Sequence, residues 1–258
     1  MKNIIQLTIL FAITLFGCKS ATDKVKKDFM PLARGEADEI ILVIDSTHWQ
    51  SALGDEVKSM YREYMPMLPQ DEHEFALNKV NPRKLNSVLK HAKNMIFVMT
   101  LDSKTLESRT IREYFTDNSL KMIQRDSSLF YTVRRDEFAK GQIVLYLFGQ
   151  TEEQLVESIK DNKSALKELF ASAVRERVRD KVYSKVEKGL TSSVAEEHSF
   201  SIKVPYGWKI AKNEENFIWM RHLEADHELN VFCYEGPYND QKVFNHVDEF
   251  RDQITGTY

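Results

Sequence analysis

The sequence predicts an α+β protein in which two mixed sheet-and-helix subdomains are joined by a long helix, all behind an N-terminal signal peptide. Three observations carry this. Short apolar runs of strand length, Glu39–Asp45 and Asn94–Leu101, alternate with helix-period segments in the first half. One helix-period stretch, residues 151–190, far exceeds the ~11-residue mean helix. Beyond it the chain changes to closely spaced short strands with a Pro205-Tyr206-Gly207 turn. The expected division is 1–17 signal peptide, 18–36 modified Cys18 and tether, 37–150 first subdomain, 151–190 connecting helix and 191–258 second subdomain.

Composition permits such a body. The 258 residues are 42% hydrophobic and 29% charged, enough to bury an ordinary core. Six Pro and nine Gly do not suit a low-complexity chain. A net charge of -3 provides no field that would recruit nucleic acid. The only cysteines are Cys18 and Cys233, too few for a disulfide framework.

The first subdomain opens on the buried strand Glu39–Asp45. A helix over Trp49–Tyr64 follows, with Val57, Met60, Tyr61 and Tyr64 at helical spacing. Phe75–Val80 is a strand. Asn81-Pro82 then supplies a cap and a first-turn proline for a helix to about His91. Asn94–Leu101 is a second buried strand, and Thr105–Arg125 has helical period. Leu129–Arg135 and Gln142–Gly149 form a hairpin around Phe138–Gly141. The long helix begins with the capping box Thr151-Glu-Glu-Gln154 and is expected to end with Gly189 at its C′ position. Its stripe of Leu155, Ile159, Leu166, Phe170 and Val174 continues as Val178, Val182 and Val186 in steps of four. Such a stripe drifts about 40° per step, so the helix is expected to pack on one sheet and then another, or to bend. Ser199–Val204, Gly207–Ala211, Phe217–His222 and Glu228–Tyr234 are expected strands, and Val243–Ile254 a closing helix.

The N-terminus carries the most specific signal. Lys2 precedes the apolar run Ile4–Phe16, which as a helix spans roughly 20 Å at about 1.5 Å per residue. A hydrocarbon core needs roughly 30 Å, so the run fits a signal peptide rather than a membrane span. Leu15-Phe16-Gly17-Cys18 resembles a lipobox, in which the cysteine sulfur takes diacylglycerol and the chain is cleaved just before it. Phe16 is larger than the usual residue at its position. Several acyl chains, at about 0.8 kcal/mol per buried CH2, anchor a protein where one chain does not. The residues after Cys18, to residue 36, then form a polar tether, whose Lys24, Lys26 and Lys27 are read as solvated. The expected address is therefore a bacterial cell envelope, lipid-anchored. The absence of an acidic cluster after Cys18 tilts this toward an outer membrane, facing the periplasm.

Several separated motifs occur together in order: the strand Glu39–Asp45, Trp49 with Gly54-Asp55, Leu68-Pro69-Gln70, Lys93–Ile96, Val204–Gly207, Asn216–Arg221 and Arg251-Asp252. From Phe29 onward the chain resembles the Bacteroidetes lipoprotein family called domain of unknown function 4837. The resemblance implies a bacterial envelope source and no particular activity. It also implies that members continue past Arg251-Asp252, so the second subdomain is expected to be C-terminally incomplete.

Chemical candidates are sparse. Ser87-x-x-Lys90 and Ser164-x-x-Lys167 share a spacing with some acyl enzymes, but chance supplies that many and the companion motifs are missing. His222, Glu224, Asp226 and His227 could converge on a metal in a hairpin loop, as could Asp71-Glu72-His73-Glu74; a solvated turn is the simpler reading of both. Asp45 ends a buried strand, a place that holds ligands in open sheets, and is equally a helix cap. Arg175, Arg177, Arg179 and Lys181 are interrupted by Glu176 and Asp180 and suit a solvated face. Trp49, Trp208 and Trp219 are expected as core or interface anchors, and Cys233 as a buried small hydrophobe. No catalytic residue, metal ligand or cofactor is assigned, and Cys18 is the one site residue. The expected role is a non-enzymatic binding or interaction protein with a membrane and an envelope protein as partners. The alternative is an envelope hydrolase or metal-dependent enzyme.

Overall fold

The computed structural model describes residues 29–66, 70–236 and 246–258. The expected signal peptide, Cys18, the tether to residue 28, Leu68-Pro69 and the start of the closing helix lie outside these residues. The chain divides into two units, one ending at Arg175 and the other starting at Glu176, and a long helix belongs to both. This is the α+β class expected from the sequence.

In the first unit, β1 (Glu39–Ile44), β2 (Ala76–Val80), β3 (Asn94–Thr100), β4 (Tyr131–Arg135) and β5 (Ile143–Gly149) form one sheet in the order β2-β1-β3-β5-β4. All neighbours are parallel except β4, which runs antiparallel to β5. The continuous apolar runs of β1, β3 and β5 follow from this position, because a central parallel strand is covered on both faces. On one face Leu42, Ile96 and Leu145 pack against α2 (Ala52–Tyr61) and the first half of α6 (Glu152–Val182). On the other, Val43, Phe97 and Tyr146 pack against Ile111 of α4 (Leu106–Arg112) and Ile123 of α5 (Asp117–Arg125). Asn94 and Gln142, both buried at the starts of β3 and β5, bond backbone carbonyls: Asn94 Nδ2 donates to Ala37 and Glu39, and Gln142 Nε2 to Lys90 and Ala92.

Three expected helices are each divided in two, and at two of the breaks a capping side chain, Asn86 or Thr116, starts the second piece. Before α2 stands a single turn, α1 (Ser46–Trp49), capped by Asp45. Tyr64 falls beyond α2 and stacks on His73, with ring centroids 4.4 Å apart. The segment after Asn81 is a 3-10 turn over Pro82–Lys84 and then α3 (Ser87–Lys90), capped by Asn81 and Asn86 respectively. Residues 105–125 break between α4 and α5, because Thr116 accepts from the Ser119 N–H as Thr105 does from that of Ser108.

The long helix is shorter than its pattern. The N-terminal box forms in modified shape: Thr151 Oγ1 accepts from the Gln154 N–H, and Gln154 Oε1 accepts from the Gln150 N–H at 2.8 Å. Leu155, Ile159, Leu166 and Phe170 are buried as expected. The helix ends at Val182, and Gly189, expected as its C′ residue, lies inside a separate helix, α7 (Lys188–Glu197). Val178 and Val182 are 47% and 42% exposed, so the drifting stripe carries no second packing face.

In the second unit, β6 (Lys209–Glu214), β7 (Phe217–Leu223) and β8 (Glu228–Tyr234) form an antiparallel sheet in that order. Val194 of α7 packs with Val204, Ile218 and Met220. Ser199–Val204, expected as a strand, is irregular: Val204 bonds Glu187 through its carbonyl and the Thr191 hydroxyl through its N–H. Gly207 has φ +88°, and a Cβ there would lie 2.9 Å from the His222 ring, which gives the Val204–Gly207 motif its physical reason. The closing helix α8 (Val247–Thr257) carries its C-terminal Tyr258 onto Phe217, stacked at 4.4 Å.

Candidate functional site

The first place to seek a site is the carboxyl edge of the parallel strands. The chain leaves β1 for β2 on one side and returns with β3 on the other, and such a switch point is where open sheets hold ligands. Here the crevice is closed by the protein itself. Asp45 is 1% exposed and accepts from the Thr47 N–H at 2.7 Å, from the Thr105 hydroxyl, and from Ser103 Oγ at 3.4 Å. Burial alone would raise its pKa. The Thr105 and Thr47 bonds and the nearby His48 outweigh that and hold the carboxyl below its ordinary value. His48 Nε2 lies 3.2 Å from Thr100 Oγ1 and 3.9 Å from Glu152. Arg112 donates to the Thr100, Leu101 and Ser103 carbonyls. Asp45 is thus a helix cap in a buried polar network, in which His48 Nδ1 and Arg112 Nε find no hydrogen-bond partner among the described residues.

An open site lies elsewhere in the same unit. A groove of about 260 Å³ runs between α5 and the β4–β5 hairpin. Its floor is aromatic. Tyr146 stacks on Phe97 at 5.0 Å and meets the edge of Phe115 at 5.4 Å, and Phe115 meets Phe148 at 5.8 Å. Ser119 and Met122 of α5 form one wall, Thr132 and Arg134 of β4 the other. The register explains why the groove is open. Thr132 and Arg134 sit opposite Tyr146 and Val144, on the face that α4 and α5 cover elsewhere, so β4 presents polar side chains where its neighbours present core. Burial holds the Tyr146 phenol far above its ordinary value, so it stays neutral. Among the described residues Arg134 is the one cation lining the groove, 3.6 Å from Glu137 and half exposed. Such an arrangement, apolar below and polar at the rim, binds small apolar groups and orients them. No motif announced it. The available clue was Tyr131-Thr-Val-Arg-Arg135, too polar for a strand covered on both faces, beside the aromatic pair Tyr114-Phe115.

The remaining candidates are brought into other contacts. Lys167 bridges Glu63 and Glu74 at 2.7 and 2.6 Å; burial lowers its basicity, but the two carboxylates raise it more, so it is a fixed cation rather than a base. Lys90 lies over the Tyr114 ring at 5.1 Å. His222 pairs with Glu224 at 2.8 Å and His227 with Asp226 at 2.7 Å, as separate pairs. The Glu224 bond raises the basicity of His222. Among the described residues no three metal-ligating side chains converge. Glu74 of the Asp71–Glu74 run is held by Lys167, and His73 by Tyr64. Arg175 pairs with Glu168, and Arg179 with Glu176 and Asp180 on its own helix. Trp49 packs partly buried on the first core with Lys58 over its ring at 4.4 Å, Trp208 stacks on His222 at 5.8 Å, and Trp219 donates to Asn230 at 2.7 Å. Cys233 is partly buried against the second unit's core, and that burial raises its thiol. Among the described residues no helix is long and apolar enough to cross a membrane.

Two family models match the chain. One, described as Domain of unknown function (DUF8532), spans residues 33–183; the other, described as Domain of unknown function (DUF4837), spans 187–258. The expected resemblance from Phe29 onward is therefore found over the second part alone, where Val204–Gly207, Asn216–Arg221 and Arg251-Asp252 lie. The earlier motifs fall under the other model. No curated protein and no solved structure matches.

Proposed function

Because the chain belongs to the family described as Domain of unknown function (DUF8532), we propose its role from its own geometry: it is an envelope lipoprotein that binds an apolar or aromatic group of a partner in the groove between α5 and β4. The groove is the observation that carries this reading. Its stacked aromatic floor offers a rigid apolar surface, and Arg134 at the rim suits an anionic neighbour of the bound group. The leader and the Leu15–Cys18 lipobox support a lipid anchor at Cys18, with the body in the periplasm of a Bacteroidetes cell.

Two measurements test the two halves of the proposal. Labelled palmitate is expected on the wild type and not on Cys18→Ser; equal label on both overturns the anchor. For the groove, anilinonaphthalene sulfonate pairs an aromatic body with an anion and is expected to gain fluorescence on the full chain. Ser119→Trp, which fills the groove, should abolish the gain with the melting temperature unchanged. An undiminished signal in that variant overturns the groove.

A further inference from the structure

Among the described residues no strand pairs with the outer edge of β4, beside the groove. In the β4–β5 ladder Phe148 N–H donates to Phe130 at 2.8 Å, and Asp136 N–H to Gln142 at 3.0 Å. Hydrogen-bonded pairs alternate along an antiparallel ladder, so Phe130, Thr132, Arg134 and Asp136 face β5. The N–H and C=O groups of Tyr131, Val133 and Arg135 therefore point away from the sheet. Among the described residues no hydrogen bond engages them. Four of the five β4 residues are exposed, with Tyr131 at 46%. A strand laid along this edge would place every second side chain on the face of Thr132 and Arg134, beside the mouth of the groove.

Charge selects the occupant. Two copies of β4 set edge to edge would bring four arginines together, and like charges across a strand pair are destabilising. An acidic strand meets the opposite situation: Arg134 has only a 3.6 Å contact to Glu137, and Arg135 stands exposed on the other face. We infer that the free edge of β4 takes up an extended acidic peptide segment as a sixth strand, its backbone bonded to Tyr131, Val133 and Arg135 and an apolar side chain lodged in the aromatic groove. This rests on the groove reading above and specifies its partner as a peptide in extended form.

The test uses a blocked heptapeptide of alternating phenylalanine and glutamate, titrated into the full chain and followed by amide shifts. Three comparisons accompany it: the same peptide N-methylated on alternate amides, in both phases, its lysine-for-glutamate counterpart, and the variant Val133→Pro. The N–H removed in that variant faces solvent, so no bond to β5 is lost. The expected result is binding with shifts along β4, weakened at least tenfold by N-methylation in one phase, by Val133→Pro and by the lysine counterpart. Binding equal for the parent and both methylated peptides, but lost in Ser119→Trp, overturns strand addition and leaves the groove standing. Binding lost on backbone blocking yet indifferent to Ser119→Trp keeps the added strand and removes the groove as its side-chain pocket. Tighter binding of the lysine counterpart, or no binding of any peptide, overturns the inference. Should Val133→Pro fail to fold, the methylated peptides decide alone.

Discussion

A Cβ placed on Gly54 would lie 2.6 Å from the carbonyl carbon of Trp49, and closer still to its oxygen. The turn that joins α1 to α2 passes against the first turn of α2, and only hydrogen fits between them. Alanine is the better helix former by about 1 kcal/mol, yet Gly54→Ala should destabilise the chain by roughly 1–3 kcal/mol, the usual penalty for overpacking. Thermal unfolding decides this, and a raised melting temperature would refute it.

Asp45 leads to a pH-dependent expectation. Its folded carboxyl titrates below the ordinary value of 3.8, so the native state favours the charged form. The stability this contributes is complete above the ordinary carboxylate range and disappears as pH falls through the lower folded value. Asp45→Ala loses both the cap and the Thr105 bond and should cost on the order of 2 kcal/mol at neutral pH. Asp45→Asn keeps an acceptor for the Thr47 N–H and should cost less. Denaturant midpoints at pH 7 and pH 3 should show the gap between wild type and Asp45→Asn narrowing in acid. A gap independent of pH would show that the charge contributes nothing.

Cys233 should behave as core rather than as a nucleophile. Its thiol packs against the second unit's core, and burial raises it, which reduces the reactive thiolate. At pH 8 the folded chain should react with an aromatic disulfide reagent at least tenfold more slowly than the chain in denaturant. Cys233→Val should change stability by less than about 1.5 kcal/mol. Folded and unfolded chains reacting at one rate would defeat the assignment.

What the sequence disclosed follows from what local pattern encodes. β1, β3 and β5 were legible because a strand covered on both faces needs an unbroken apolar run, and Ile40–Ile44 and Met95–Met99 are such runs. The breaks at Gln50–Ser51, Leu85–Asn86 and Glu113–Thr116 were less so. Helical spacing persists across them, and the interrupting caps, Asn86 and Thr116, are residues tolerated inside helices too. The end of α6 was misplaced for a related reason: valines at four-residue steps resemble a buried stripe whether or not anything covers them, and Val178 and Val182 face solvent. The groove was hidden because it is made of absence. Tyr146 and Phe115 look like core, and only the register that sets Thr132 opposite Tyr146 leaves their edge uncovered.

The strand order has a consequence for biosynthesis. β1 emerges from the ribosome first of the five strands, yet it lies between β2 and β3, and β3 in turn needs β5, which ends at Gly149. At about 5–20 residues per second, on the order of ten seconds pass before β5 even exists, and on a chain exported behind the proposed leader the sheet closes later still, after translocation. During that interval Ile40–Ile44 is an adhesive ribbon on a nascent chain, and a holding chaperone should be found on it more than on any later segment.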